Sequence, residues 1–363
     1  MRLSTSYYTE IGMRIKPCRT FQFDIVLGAV VICGKERFGK GIKPMGTIVS
    51  VHPFDEEQVK AIQEACPSLD YVSVSGFGAD EARAALMDAE VILGWNRDVL
   101  KIIHADGISL KWLQNLGAGV DHIPLERLQS LGVTLTHASG VHPNGISESI
   151  FAMLLSLTRN VHIAIRNQQQ QTWKPSKIMG EAHGKTIAIL GTGAIGLETA
   201  KLAQAFGMNV LGVRKSGVPA EWVDRMYTIE QLNEVLAQSD YIVNCLPLTA
   251  QTKHLVGREQ FAVMKPSAIY INIGRGGTTD TAALVDALQQ ERIAGAGLDV
   301  FEQEPLPQEH PLWNMENVII TPHETGNTPY YMDRALSIVL DNLTNYSAQG
   351  KPCRNVVDWQ AQY

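Results

Sequence analysis

Arg275, Glu304 and His323 lie in the last quarter of the chain, each in a distinct local setting. Arg275 follows the apolar run Ile271-Asn272-Ile273-Gly274 and precedes Gly276. Glu304 closes Leu298-Asp299-Val300-Phe301-Glu302-Gln303-Glu304 and precedes Pro305. His323 ends Ile319-Ile320-Thr321-Pro322-His323. Each follows a short β-like run, so each is expected at a strand's carboxyl end, where open α/β sheets place their ligands. A fixed cation there holds a carboxylate, an imidazole moves a proton, and a glutamate tunes the imidazole. That set of groups suits the reduction of a 2-oxo acid.

Strand ends converge only if the chain alternates strand and helix, and from Met45 it does. Strands are expected at Thr47–Val51, Tyr71–Val74, Val91–Leu93, Lys111–Leu116 and Val133–Thr136, with helices such as Asp55–Ala65 and Leu125–Leu131 between them. This rhythm predicts a parallel sheet. Pro143 opens a long helix, Asn144–Ile165, with Ile146, Ile150, Met153, Leu154 and Leu157 at helical spacing. A second βα series follows at Thr186–Leu190, Asn209–Val213, Tyr241–Cys245, Ala268–Asn272, Gly295–Leu298 and Val318–Ile320. The closing helix, Pro329–Gln349, is expected back on the first sheet. The fold class is therefore α/β, with two Rossmann-like, doubly wound parallel-sheet domains, the first discontinuous. Its segments are 45–143 and 325–363, around a dinucleotide domain at 144–324.

The second series opens on Thr186-Ile187-Ala188-Ile189-Leu190, then Gly191-Thr192-Gly193-Ala194-Ile195-Gly196, then a helix expected over Leu197–Phe206. A lone Gly-x-Gly-x-x-Gly is weak, but the strand before it and the helix after it supply the required context. Gly191 permits the tight turn, Gly193 lets backbone approach a pyrophosphate, and Gly196 lets helix and strand pack closely. The amides of Gly193, Ala194 and Ile195 then face the anion. A ribose-binding carboxylate is expected about 20 residues on. The chain instead reads Gly212-Val213-Arg214-Lys215-Ser216. Two cations and a hydroxyl suit a 2′-phosphate, so NADP(H) is the expected cofactor, with NAD possible. The plain alternative is a solvated basic turn.

The composition is that of an ordinary globular protein: 363 residues, 45% hydrophobic, 19% charged and a net charge of −6. It gives no reason to expect nucleic-acid or membrane partners, and no metal site is expected. Residues 1–44 carry eight basic against three acidic side chains; they read as a poorly ordered extension. The apolar run from Ile25 to Cys33 is far shorter than the roughly 20 residues of a spanning helix. Five scattered cysteines fit a reducing compartment, the cytoplasm, rather than a disulfide framework. Trp95, in Gly94-Trp95-Asn96 after another strand, either lines a substrate pocket or simply packs. Trp313 is equally ambiguous, and His142, beside the expected crossing between domains, is a secondary candidate for ligand contact.

These motifs, in this order, resemble the D-isomer-specific 2-hydroxyacid dehydrogenase family over residues 46–359. The resemblance rests on Leu116-Gly117-Ala118-Gly119-Val120-Asp121, the glycine loop, and Leu246-Pro247-Leu248-Thr249 with Thr252. It continues through Asn272-Ile273-Gly274-Arg275-Gly276, Gly295-Ala296-Gly297-Leu298-Asp299-Val300 with Glu304-Pro305-Leu306, Thr321-Pro322-His323 and Asn355-Val356-Val357-Asp358. It implies that His323 is the acid/base, Glu304 its partner and Arg275 the substrate anchor. Gly117, Ala118, Gly119 and Val120 become the backbone cradle for the substrate carboxylate. Leu246, Pro247, Thr252, Ile273 and Gly274 border the cofactor, and Asp299 lies near the nicotinamide amide. The flavodoxin-like first domain would bind substrate, and the helix Asn144–Ile165 would pack across a two-fold axis in a homodimer. Two alternatives share the scaffold. A formate-dehydrogenase-like enzyme pairs its histidine with glutamine, which Glu304 opposes; a dinucleotide-sensing binding protein can keep all three residues.

Overall fold

A computed structural model describes residues 46–176 and 178–360; the expected extension over 1–44 lies outside them. In the first half, β1 (Thr47–Ser50), β2 (Asp70–Ser73), β3 (Val91–Leu93), β4 (Trp112–Gln114) and β5 (Thr134–Thr136) alternate with four helices. These are α1 (Glu56–Ala65), α2 (Ala79–Met87), α3 (Arg97–Ile103) and α4 (Leu125–Ser130). The starts are set locally: Asp55 and Gln58 form a capping box on α1, and Asn96 accepts from the first amides of α3. The five strands pair in parallel in the order β2-β1-β3-β4-β5. The central strands β1, β3 and β4 are almost wholly buried, as expected of strands covered on both faces.

The chain then crosses through α5 (Pro143–Thr158) and α6 (Val161–Gln169) into β6 (Thr186–Leu190), α7 (Ala194–Ala205), β7 (Asn209–Val213), β8 (Arg225–Tyr227), α8 (Leu232–Gln238) and β9 (Tyr241–Asn244). After these come α9 (Arg258–Val263), β10 (Ile269–Asn272), α10 (Thr281–Gln289), β11 (Gly295–Leu298), β12 (Val318–Ile320) and α11 (Tyr331–Gln349). The second sheet is seven parallel strands in the order β12-β11-β10-β9-β6-β7-β8. Its strand order reverses between β6 and β9, which is where such sheets open a crevice for ligands.

α11 returns to the first sheet. Leu336, Val339 and Leu343 join the core around Ile48, Ile62 and Leu116, each burial contributing about 1.5–3 kcal/mol. Tyr346 stacks on the buried Trp112 at 5.2 Å. Asn342 and Thr136 both donate to Gln114 Oε1, and Trp112 Nε1 donates to Thr136, so the buried polar groups between sheet and helix are mutually satisfied. Where the chain crosses between the sheets its two strands lie side by side. The His142 ring stacks on Tyr331 at 4.9 Å and its Nδ1 lies 3.1 Å from the Gly326 carbonyl. The Tyr331 hydroxyl donates to the Leu116 carbonyl, and Arg334 donates to that of Val141.

Two expectations need correction, and one strand was not expected. The helix Asn144–Ile165 is two helices, α5 and α6, broken at Asn160, whose φ is +54°. The Thr158 carbonyl accepts from the Gly180 amide and Asn160 Nδ2 donates to the Ile178 carbonyl, so a later segment takes over the bonds a continuous helix would use. The helix after the glycine loop starts at Ala194 rather than Leu197, because the loop itself turns into it. The edge strand β8 is too short and polar to stand out as a period-2 pattern.

Candidate active site

β10, β11 and β12 are neighbours, so the segments leaving them, which carry Arg275, Glu304 and His323, open onto the same edge of the second sheet. His323 Nδ1 lies 2.8 Å from Glu304 Oε2, and the other oxygen of Glu304 accepts from the Phe301 amide at 2.9 Å. The carboxylate thus fixes the ring and assigns the Nδ1 proton, leaving Nε2 for a ligand. A second histidine–glutamate pair pins the same segment: His254 Nε2 meets Glu302 Oε1 at 2.6 Å, and Glu302 Oε2 accepts from the Thr281 amide. Burial alone would raise the Glu302 carboxyl, but the Thr281 and His254 bonds hold it below its ordinary value.

Arg275 is built on a buried polar network. Its carbonyl accepts from Asn272 Nδ2 and Thr278 Oγ1, and Asn244, Tyr270 and Thr279 close the rest of the network. Burial pushes the Tyr270 hydroxyl up to about 12. Gly276 lets this turn touch the Glu304 segment: a Cβ there would fall 1.9 Å from the Phe301 carbonyl carbon. The side chain then reaches across to the first sheet. Nε donates to Asp121 Oδ1 at 3.0 Å, Nη1 donates to the Gly274 carbonyl, and a Cβ on Gly119 would lie 1.7 Å from Nη2. A side chain on Gly119 would displace the guanidinium from that point.

The loop beneath it is prepared for an anion. Asn115 Nδ2 donates to the carbonyls of Gly117 and Gly119, turning them away. Among the described residues, the amides of Ala118, Gly119 and Val120 make no hydrogen bond. Trp95 packs edge-on against His122, 6.1 Å between centroids, which places it beside this loop. His142 belongs to the crossing and is held there, while Trp313 Nε1 donates to the Pro307 carbonyl.

The glycine loop sits at the crevice between β6 and β9. Gly191 has φ +93°, and a Cβ on Gly196 would lie 2.2 Å from the Gly191 carbonyl oxygen, whereas one on Gly193 meets nothing within 4 Å. Leu246, Pro247 and Thr252 follow β9 and are fixed by Asn244 Oδ1 to the Leu246 amide and by Thr252 Oγ1 to the Pro247 carbonyl. Ile273 and Gly274 both donate to the Asn244 carbonyl. Arg214 adjoins the loop, since the Gly191 amide donates to Val213. Lys215 and Ser216 are exposed, and among the described residues no carboxylate pairs with Arg214 or Lys215. Asp299 is 1% exposed, with both carboxylate oxygens engaged by the Thr321–Thr325 segment.

Residues 151–325 match the profile described as D-isomer specific 2-hydroxyacid dehydrogenase, NAD binding domain. A glyoxylate/hydroxypyruvate reductase B of Yersinia pestis is 36% identical over 276 residues, 73% of this chain and 83% of the relative. The chain belongs to the D-isomer-specific 2-hydroxyacid dehydrogenase family. A D-3-phosphoglycerate dehydrogenase of Methanocaldococcus jannaschii is 32% identical over 318 residues, 86% of this chain, but this chain spans 60% of that relative's length. An NADPH-dependent glyoxylate/hydroxypyruvate reductase of Sinorhizobium meliloti, solved with NADP and sulfate, shares the fold with a TM-score of 0.73 and 26% identity. That match covers 88% of this chain and 100% of the other.

Sequence reasoning placed Asp121 in a motif without a role, and it overlooked Asn115 and His254. Asp121 carries a usable signal, as the one acid in the glycine-rich cradle. Burial alone would raise its carboxyl, but Arg275 holds it below the ordinary carboxylate value. With 38% and 28% of the two side chains exposed, screening keeps the pair modest. A depressed carboxyl contributes stability that is present above its unfolded value, about 3.9, and lost as the pH falls through its folded value. Asp121→Asn should therefore lower the urea midpoint near neutral pH, and the gap to wild type should close in acid. A gap of constant size across that range sinks the pairing.

Proposed function

We propose that the protein is an NAD(P)-dependent oxidoreductase that interconverts a small 2-oxo acid and the corresponding D-2-hydroxy acid. The observation that carries this reading is the His323–Glu304 contact of 2.8 Å on strand ends next to that of Arg275. The segments 45–143 and 325–363 serve as the substrate domain, and 144–324 as the dinucleotide domain. Nicotinamide, when bound, supplies or accepts the hydride. Arg275 Nη2 and the free amides of Ala118, Gly119 and Val120 hold the substrate carboxylate, with Trp95 beside them. His323 Nε2 gives its proton to the carbonyl oxygen as carbon 2 is reduced, and takes it back in oxidation, while Glu304 keeps the ring oriented. Negative charge developing on that oxygen meets a proton donor and a guanidinium already in place. Glu304, where formate dehydrogenases have glutamine, favours a reaction that moves a proton.

The glycine loop fits a dinucleotide: Gly193 leaves open space, and the amides at the start of α7 face it. Arg214, Lys215 and Ser216 favour NADP(H), in keeping with the Sinorhizobium relative. Among the described residues no helix is long and apolar enough to cross a membrane. The scattered cysteines favour a reducing compartment, the cytoplasm. The expected homodimer surface, the stretch Asn144–Ile165, spans α5 and the start of α6. α5 is buried against the second sheet, whereas Val161, Ile165, Trp173, Ile178 and Met179 stay exposed. Exposed apolar side chains concentrated in one stretch suit an interface, so a homodimer should form through α6 and the segment after it.

His323→Ala should lower turnover by about 10²–10⁴-fold with NADPH binding retained, measured spectrophotometrically on a panel of 2-oxo acids. Glyoxylate and hydroxypyruvate, named for the relatives, come first. Near-native turnover of this variant rules out His323 as the proton donor.

The cofactor reading has its own test. Losing the Arg214 contact costs roughly 1.5–3 kcal/mol, the worth of a charged hydrogen bond. Arg214→Asp should therefore weaken NADPH and improve NADH use. Equal or tighter NADH binding by the unmodified protein would leave this turn as a solvated loop.

Light scattering should report a dimer at micromolar concentration and a monomer for the Ile165→Asp/Trp173→Asp double variant. A monomeric wild-type protein removes the interface.

A further inference from the structure

Asp299 is the most buried carboxylate near the site, and among the described residues no cation pairs with it. It stands just past β11 at 1% exposure. Its Oδ1 accepts from Thr321 Oγ1 at 2.6 Å and the Glu324 amide at 3.0 Å, and its Oδ2 accepts from Thr325 Oγ1 at 2.6 Å. The Thr325 amide approaches both oxygens, at 3.4 and 3.3 Å. Its own carbonyl accepts from the His323 amide at 2.8 Å. All these donors come from the five-residue loop centred on His323. A buried charge is tolerated when hydrogen bonds replace its lost hydration, and here one loop supplies them.

The loop gives that cage a purpose. His323 has φ +52°, in the left-handed region that non-glycine residues seldom occupy. Such a conformation persists only where its surroundings over-determine it, and it concentrates at functional sites. In an extended conformation the ring would leave Glu304. The amides of Glu324 and Thr325, turned inward by the left-handed residue before them, bond to Asp299 instead of to a continuing strand.

We propose that Asp299 is the positioning residue of this loop: its carboxylate, caged by Thr321, Glu324 and Thr325, holds His323 in the left-handed conformation that faces Nδ1 to Glu304 and Nε2 to the substrate. It acts through His323 and touches no reacting atom. The proposal rests on His323 being the proton donor. It assigns Asp299 a use other than the nicotinamide contact that family resemblance implies.

Two variants test it. Asp299→Asn places a donor where acceptors are needed. It should lower kcat by about 10²-fold, the scale expected of a misplaced catalytic group, and displace the pH profile of kcat while leaving NADPH affinity unchanged. Thr325→Val keeps the carboxylate and removes one donor. It should lower kcat about tenfold, as for the loss of one charge-assisted bond, again with NADPH affinity unchanged. Amide hydrogen exchange in the 321–325 segment should quicken in both variants. That readout does not depend on chemistry, so it separates failure of this proposal from failure of the proton-donor assignment, which His323→Ala tests. Slow exchange in both variants overturns the proposal. So does Asp299→Asn weakening NADPH in step with kcat while Thr325→Val behaves as wild type, because the carboxylate would then serve the cofactor.

Discussion

The site depends on the parallel register of three short strands. Asn272 pairs with Leu298, and Leu298 with Ile320. With that alignment the chain leaves β10, β11 and β12 at nearly the same level, and Arg275, Glu304 and His323 are carried by adjacent departing segments. A shift of one residue in any of the three would exchange the two faces of that strand, putting polar Asn272 or the apolar neighbours of Leu298 on the wrong side. Ile269, Tyr270, Ile271, Ala296 and Leu298 all lie in the core, and Asn272 is held in register by its bonds to the Arg275 carbonyl and Thr279.

Much of this was legible in the sequence. All the strands but β8, the glycine loop and the three strand-end residues were visible because they obey local rules: apolar runs of strand length, turn glycines, a proline opening a helix. Most of what stayed hidden depends on contacts between distant segments. The break at Asn160 comes from residues 178–180 docking there, and no periodicity within α5 and α6 announces it. His254 acts through Glu302, far away in sequence, while Asn115 acts on the carbonyls of its neighbours Gly117 and Gly119, and no periodicity separates either from ordinary loop residues. Asp121 is the intermediate case. Its motif was visible, but its partner, Arg275, lies 154 residues on.

The site's charges are arranged unevenly. Each of its principal charged groups is paired or caged: Arg275 by Asp121, His323 by Glu304, Asp299 by its loop. Arg214 and Lys215, by contrast, have no carboxylate among the described residues. Paired groups hold a geometry, whereas an unpaired cation at the rim is free to meet an anion arriving from solvent. Arg275 combines both conditions. Two of its nitrogens are tied to protein oxygens, and the third lies against Gly119.

The two crossings between the sheets have a mechanical consequence. At His142 and Tyr331 the outgoing and returning chains are clasped together by ring stacking and by bonds to Gly326, Val141 and Leu116. Two strips fastened side by side bend readily about the line that joins them and resist shear along it. The sheets are thus joined like the boards of a book at its spine. Because Tyr331 is fastened to Leu116, the residue before the Gly117–Val120 loop, that loop is bound directly at the fold line.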